Sequence, residues 1–111
     1  MQHALDILGV PCYHGAVMLG RSSDIPLWTE ALDAKFYNKG TRYGRREWDR
    51  LIGDFGALSD VPAICFAEDL VEAYPEAKVI LIDRERDAWF ESFDEAVISA
   101  CWRPSTHIIA R

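Results

Sequence analysis

A chain of 111 residues with a net charge of −6 and a pI near 4.9 is one domain at most, and its field repels nucleic acid and anionic membrane surfaces. Half of the residues are hydrophobic and 12% are aromatic, enough to offset ordering entropy, so a disordered chain is excluded. No apolar run approaches the roughly 18 residues of a membrane span, the start MQHALDILG has no basic n-region, and Cys12, Cys65 and Cys101 lack CxxC spacing, which reads as buried free thiols in a reducing, cytoplasmic setting.

Residues 3–8 (HALDIL) read as the end of a helix stopped by Gly9, and VPCYH (10–14) as a short strand in spite of Pro11. Asp24 is placed to cap a helix with Pro26 in its first turn, and Ile25, Trp28, Leu32 and Phe36 follow at three- and four-residue steps. YNKGTRYGRR (37–46) is a polar, glycine-bearing loop whose basic residues are balanced by flanking acids, and Trp48, Leu51, Ile52 and Phe55 mark another short helix. In DVPAICFAEDLVEAYPEAK (60–78), Ala63, Phe66, Ala67, Leu70, Val71 and Tyr74 form one stripe between Pro62 and Pro75, predicting a helix of about three turns. VILI (79–82) is continuous and β-branched, the pattern of a parallel strand buried on both faces. Asp87 is the candidate N-cap of a last helix whose core face is Trp89, Phe93, Ala96, Val97 and Ala100. The alternation predicts an α/β fold with a short parallel sheet of two to three strands and amphipathic helices.

The turn after VILI carries Asp83, Arg84, Glu85, Arg86 and Asp87 in alternating sign. Ligands of parallel α/β sheets sit beyond the carboxyl ends of strands, near helix N-termini, so Arg84 is placed to grip phosphate oxygens and Ser92 to add a hydroxyl. The alternative is a surface turn of mutually neutralised charges, which spacing alone favours.

PCYH (11–14), IPLW (25–28), D-x-P (60–62), EAYPEAKVIL (72–81) and R-x-x-x-A-W-[FY]-x-S (84–92) occur in an order that resembles the nucleotide-loop sulfotransferases, above all the branch common in fungi, over nearly the whole chain. The resemblance implies a P-loop NTPase-like three-layer sandwich that moves a sulfuryl group from 3′-phosphoadenosine-5′-phosphosulfate to a hydroxyl or amine of a small-molecule acceptor. By the same resemblance, Arg84 and Ser92 hold the 3′-phosphate. The family also opens with a buried strand and a loop of the form G-x-x-R-[ST]-G-T that cradles the phosphosulfate. Met1 falls after that loop, inside the first helix, and GRSS (20–23) has neither its glycine spacing nor its position. The chain also stops at Arg111, short of the closing helices. The expectation is one incomplete domain over residues 1–111, impaired or inactive by truncation. The turn D-R-E-R departs from the family's apolar residue before the Arg and D-P after it, and Asp83 repels a bound phosphate unless Arg86 offsets it.

Sulfuryl transfer needs a base at the acceptor proton. Asp60, near where the family places an acceptor-side base, is one catalytic candidate, and His14, after the first strand, is the other. The plainer readings are a helix N-cap for Asp60 and a satisfied core or edge residue for His14. His3 and His107 have no ligand-spaced partners, so no metal site is expected. Two further readings stand beside the enzyme: a fragment of a longer gene product, or a non-enzymatic interaction domain that self-associates through exposed apolar surface.

Overall fold

Helix α1 (Gln2–Ile7) stops where Gly9 adopts a φ of 76°, in the left-handed region that side chains disfavour. The chain then enters strand β1 (Cys12–Tyr13). The computed structural model describes residues 1–102, and the chain divides into two compact units, Met1–Ala77 and Lys78 onward. His107 lies outside the described residues.

In the first unit β1 pairs in parallel with β2 (Ala57–Leu58), Cys12 opposite Ala57 and Tyr13 opposite Leu58. The Gly56 N–H donates to the Pro11 carbonyl at 2.9 Å and the Ser59 N–H to the Tyr13 carbonyl at 2.9 Å, which extends the ladder at both ends. A parallel pair needs a crossover. Here it runs through α2 (Gly15–Gly20), a 3₁₀ turn at Ser22–Asp24, α3 (Ile25–Phe36) and α4 (Arg45–Ile52). Beyond β2, a 3₁₀ turn at Ala63–Phe66 leads into α5 (Ala67–Ala73), so the three-turn helix expected from Asp60 is a tight turn followed by a shorter helix.

The core is aromatic. Tyr13, Trp48 and Phe66 are the largest fully buried side chains, with Trp28 beside them. Edge-to-face packing of Trp48 on Phe66 and of Tyr43 on Trp48, both with centroids 5.0 Å apart, matches the ring quadrupoles. Helix α3 turns Trp28, Ala31 and Ala34 inward, while Ile25 and Phe36 of the predicted stripe stay exposed. Two alanines leave room for the neighbouring indoles, which larger side chains on that face would displace. Asp69, on α5, accepts from Lys35 of α3 and from Arg42 of the 37–44 loop at 2.9 Å, tying three segments together. Burial pulls the Asp69 pKa upward, but the Lys35 bond and the charges of Lys35 and Arg42 prevail and hold the carboxyl below its ordinary value.

Four expectations are corrected in this unit and the next. Cys12 is buried, but Cys65 and Cys101 are exposed and do not act as apolar filler. Asp24 does not cap α3 through its side chain; it is buried and bonded elsewhere. In the second unit Val79–Ile82 forms no strand, and Leu81 is 90% exposed. A strand needs neighbours for its N–H and C=O groups, and the only ladder among the described residues joins β1 to β2. From Arg86 the chain is helical: α6 (Arg86–Phe93), a π turn at Asp94–Ile98 and α7 (Ser99–Cys101). None of its described residues is fully buried, Trp89, Phe93 and Val97 of the expected core face included, although Trp89 and Phe93 stack at 5.3 Å. Among the described residues the architecture is mixed α/β, mostly helical, with a two-stranded parallel sheet.

Candidate functional site

Because β1 and β2 are parallel and in register, the residues just past their carboxyl ends are neighbours. His14 follows Tyr13 directly, and Asp60 lies two residues beyond Leu58. Their side chains meet: His14 Nε2 is 3.4 Å from Asp60 Oδ2, with about a third of the imidazole and 43% of the carboxylate open to solvent. Two residues 46 positions apart in sequence thus face each other where parallel sheets place their ligands.

Each is fixed locally. His14 is the N-cap of α2, in extended backbone, and its Nδ1 accepts the Ala16 N–H at 3.1 Å, the service that Ser or Asp performs at most caps. Asp60 holds a φ of 65°, in the left-handed region that only short polar residues visit readily. That backbone turns its carboxylate toward the start of α2, and Gly15 makes room for it. A Cβ at Gly15 would stand 2.7 Å from Asp60 Oδ2 and 3.1 Å from the Val61 carbonyl oxygen. Asp60 is not a side-chain cap of the turn that follows it, whereas His14 fits the plainer reading of a satisfied edge residue: it is half-buried, and both of its ring nitrogens face partners.

Behind the pair lies a buried polar chain that the sequence did not disclose. The Trp28 indole N–H donates to the Tyr13 hydroxyl at 2.9 Å, and that hydroxyl donates to Asp24 Oδ2 at 3.0 Å. Asp24, 4% exposed, also forms an ion pair with Arg21, whose Nε is 3.1 Å from Oδ2, and accepts from the Ser23 hydroxyl at 3.3 Å. Tyr13 and Asp24 sit at the two ends of the segment that carries α2, so their bond closes it against the sheet. Burial raises the Tyr13 pKa, the Trp28 bond opposes this, and Asp24 adds to the rise, so Tyr13 stays a donor at neutral pH. An aromatic beside a histidine and a distant Asp gave no spacing signal for this.

Arg84 and Ser92 belong to the second unit. Glu85 caps α6, its carboxylate accepting from the Asp87 N–H at 3.0 Å and the Ala88 N–H at 2.8 Å, and these donors lower its pKa. The cap expected at Asp87 is thus Glu85, and the free N–H groups expected for an anion are already satisfied. Arg86 pairs with Asp87 at 3.2 Å on the surface. The alternating charges therefore neutralise one another at Arg86 and Asp87 but not at Arg84, which is exposed and in no ion pair among the described residues. Ser92 is exposed about 9 Å along α6, on the Glu85–Ala88 side by its four- and seven-residue spacing. A guanidinium in no ion pair among the described residues and an exposed hydroxyl are donors of the kind a phosphate takes, with Asp83 and Glu85 as anionic neighbours that Arg86, paired with Asp87, does not offset. The described residues include no group of three metal-ligating side chains. An open cleft of about 380 Å³ near Arg42, Arg45 and Asp69 is neutralised by its own ion pairs, Arg42 with Asp69 and Arg45 with Glu76.

A family model described as a sulfotransferase domain matches residues 1–111. A protein of Aspergillus versicolor described as Ava biosynthesis cluster protein M is 35% identical over 100 residues, which is 89% of this chain and 38% of that relative. The chain thus spans about two fifths of the length of the curated relative it matches.

Proposed function

The chain belongs to the sulfotransferase domain family, and from that premise we propose that it serves the transfer of a sulfuryl group from 3′-phosphoadenosine-5′-phosphosulfate to a hydroxyl or amine of a small molecule. In this reading His14 and Asp60 form the acceptor-side acid–base pair, and Arg84 and Ser92 donate to the 3′-phosphate. The observation that carries it is the meeting of His14 and Asp60 at 3.4 Å just past the carboxyl ends of two parallel strands.

The donor supplies the sulfuryl group and a phosphate leaving group; the chain's residues hold and orient. Arg84 contributes a permanent charge with no competing ion pair among the described residues, and Ser92 a neutral donor further along α6. Asp60 and His14 offer a place for the acceptor proton. The activity belongs to the whole protein. These residues by themselves are proposed to transfer weakly, since the pattern G-x-x-R-[ST]-G-T is not among them. The three-layer nucleotide-loop sandwich and a reducing compartment belong to the same proposal. No helix among the described residues is long and apolar enough to cross a membrane.

Calorimetric titration with 3′-phosphoadenosine-5′-phosphate tests the donor half. Saturable binding weakened about tenfold or more by Arg84→Ala, a change of about 1.4 kcal/mol, is expected. No saturable binding, or binding indifferent to Arg84→Ala, would sink it. Light scattering on the same samples tests the alternative of a self-associating interaction domain, and a purely monomeric species would count against it.

A further inference from the structure

Helices usually start at Ser, Thr, Asp or Asn, whose side-chain oxygens accept a hydrogen bond throughout the neutral range. Helix α2 starts at a histidine, which accepts through a ring nitrogen only while that nitrogen carries no proton. The Ala16 N–H donates to His14 Nδ1 at 3.1 Å, so the cap requires a neutral ring with its lone pair on Nδ1. The other nitrogen, Nε2, stands 3.4 Å from Asp60 Oδ2, within ion-pair reach but beyond the usual hydrogen-bond length. The neutral ring is thus bonded to the helix, with a carboxylate close beside it.

A proton reverses these relations. On a charged ring both nitrogens carry hydrogen, so Nδ1–H meets the Ala16 N–H donor to donor, and a positive charge sits at the positive end of a helix. The same charge turns the Asp60 contact into an ion pair between side chains that are both more than half buried. Among the described residues Asp60 is the one group in ion-pair contact with the ring. The neighbouring elements add no rival: α2 has no ionisable side chain, Tyr13 on β1 turns its hydroxyl to Asp24, the Cys12 thiol lies against Ser59, and Arg21 past the end of α2 is paired with Asp24. Helix α2 depends on its cap, because it has six residues, glycine at both ends and no acidic residue in its first turn.

We infer that His14 is a pH switch at the start of α2. Neutral, it caps the helix through Nδ1; protonated, it releases the Ala16 N–H and passes to the Asp60 carboxylate. Gly15 lies in the turn that is released, and its missing Cβ is what makes room for Asp60. The first turn of α2 beside the candidate pair is therefore held in the neutral form and loosened in acid. The switch is a property of the fold and holds whatever reaction the site serves.

Amide hydrogen exchange of the full chain, resolved by residue and corrected for the intrinsic effect of pH, tests this between about pH 8 and about pH 5, where imidazoles ordinarily change charge. Protection of the Ala16 amide should fall about fivefold or more over that interval, the effect of losing a typical cap. His14→Asn keeps an accepting side chain that does not titrate, so Ala16 should stay protected at both ends. His14→Ala has no acceptor, so Ala16 should be unprotected at both. The wild type should match the first variant in the neutral condition and the second in acid. Equal protection of Ala16 in wild type at both ends would overturn the switch, and so would a step that survives in His14→Asn or extends equally to the amides of α3 and α4. Should either variant fail to fold by circular dichroism, ¹⁵N spectra of the wild-type histidine rings decide: in the neutral condition His14 should show a bare Nδ1 and a protonated Nε2, and the opposite tautomer would overturn the cap on which the switch depends.

Discussion

Replacing Tyr13 by Phe removes a single oxygen from the polar chain behind the candidate pair. The ring keeps its place against Trp28 at 5.7 Å and Phe55 at 4.9 Å, so apolar burial is nearly unchanged. Two hydrogen bonds go. The Trp28 indole N–H, on a side chain 2% exposed, loses its acceptor at 2.9 Å, and an orphaned buried donor costs about 1–3 kcal/mol. Asp24 loses a donor at 3.0 Å, a charge-assisted bond that contributes about 1.5–3 kcal/mol, part of which Arg21 and Ser23 retain by continuing to hold the carboxylate. The expected destabilisation is therefore about 2–4 kcal/mol, a large share of the roughly 5–15 kcal/mol available to a small domain. Urea unfolding followed by tryptophan fluorescence measures it, and the slope with denaturant should be unchanged because no surface is newly exposed. Trp28→Phe in the Tyr13→Phe background removes the orphan, so the double variant should lose about 1 kcal/mol or more less than the sum of the two singles. A single-variant loss under about 0.5 kcal/mol, or strict additivity, would refute the account. There is also a pH signature. The folded Tyr13 pKa lies above its ordinary 10.0, so the stabilisation is fully present below that pH and is lost as pH rises through the folded value. Tyr13→Phe should flatten that part of the alkaline loss.

Asp69→Asn keeps the shape of the α3–α5 tie and removes its charge, leaving Lys35 and Arg42 unneutralised. With the Asp69 and Lys35 side chains 12% and 18% exposed, the expected cost is about 1–3 kcal/mol in urea unfolding. Its acid behaviour follows from a folded pKa below the ordinary 3.8: the wild type holds this stabilisation above pH 3.8 and loses it as pH falls through the folded value, and the variant lacks that acid-side loss. Gly15→Ala puts a Cβ 2.7 Å from Asp60 Oδ2, which can swing away, and 3.1 Å from the Val61 carbonyl oxygen, which gives less, so it should cost about 1 kcal/mol and separate Asp60 from His14. Loss of the contact to the His14 ring in nuclear Overhauser spectra checks it, and an undisturbed pair would count against the packing described.

Much of the local structure was legible because it depends on neighbours within a few residues. Pro26 in a first turn, Gly9 at a helix end and the three- and four-residue steps around Trp28 and Trp48 are local rules, and α1, α3 and α4 follow them. VILI was misread because continuous β-branched apolar residues state a preference for a sheet without supplying one; a strand forms only where a partner backbone meets it. Ala57–Leu58 was missed for the converse reason: two residues carry no period, and their pairing comes from Pro11 and Tyr13, more than 40 positions away. Asp24 reads as a cap because Asp before an apolar helix usually is one; the Arg21 charge at 3.1 Å and the Tyr13 hydroxyl at 3.0 Å together make its burial tolerable.

The sequence by itself determined a helix-rich α/β chain, the family resemblance, and the names of His14, Asp60, Arg84 and Ser92 as residues with suitable chemistry. It could not pair them, because the distance between residues distant in sequence is set by strand register and crossover and not by composition. The tertiary structure brought His14 and Asp60 to 3.4 Å by laying Tyr13 beside Leu58, directed one imidazole nitrogen into the cap of α2, and set the other against the Asp60 carboxylate. It also showed that Glu85 occupies the helix end where the sequence had placed a phosphate, so that Arg84 alone of the turn's two arginines keeps its charge unpaired among the described residues. Residue type fixes what a group can do; only the fold decides which of its atoms are still free to do it.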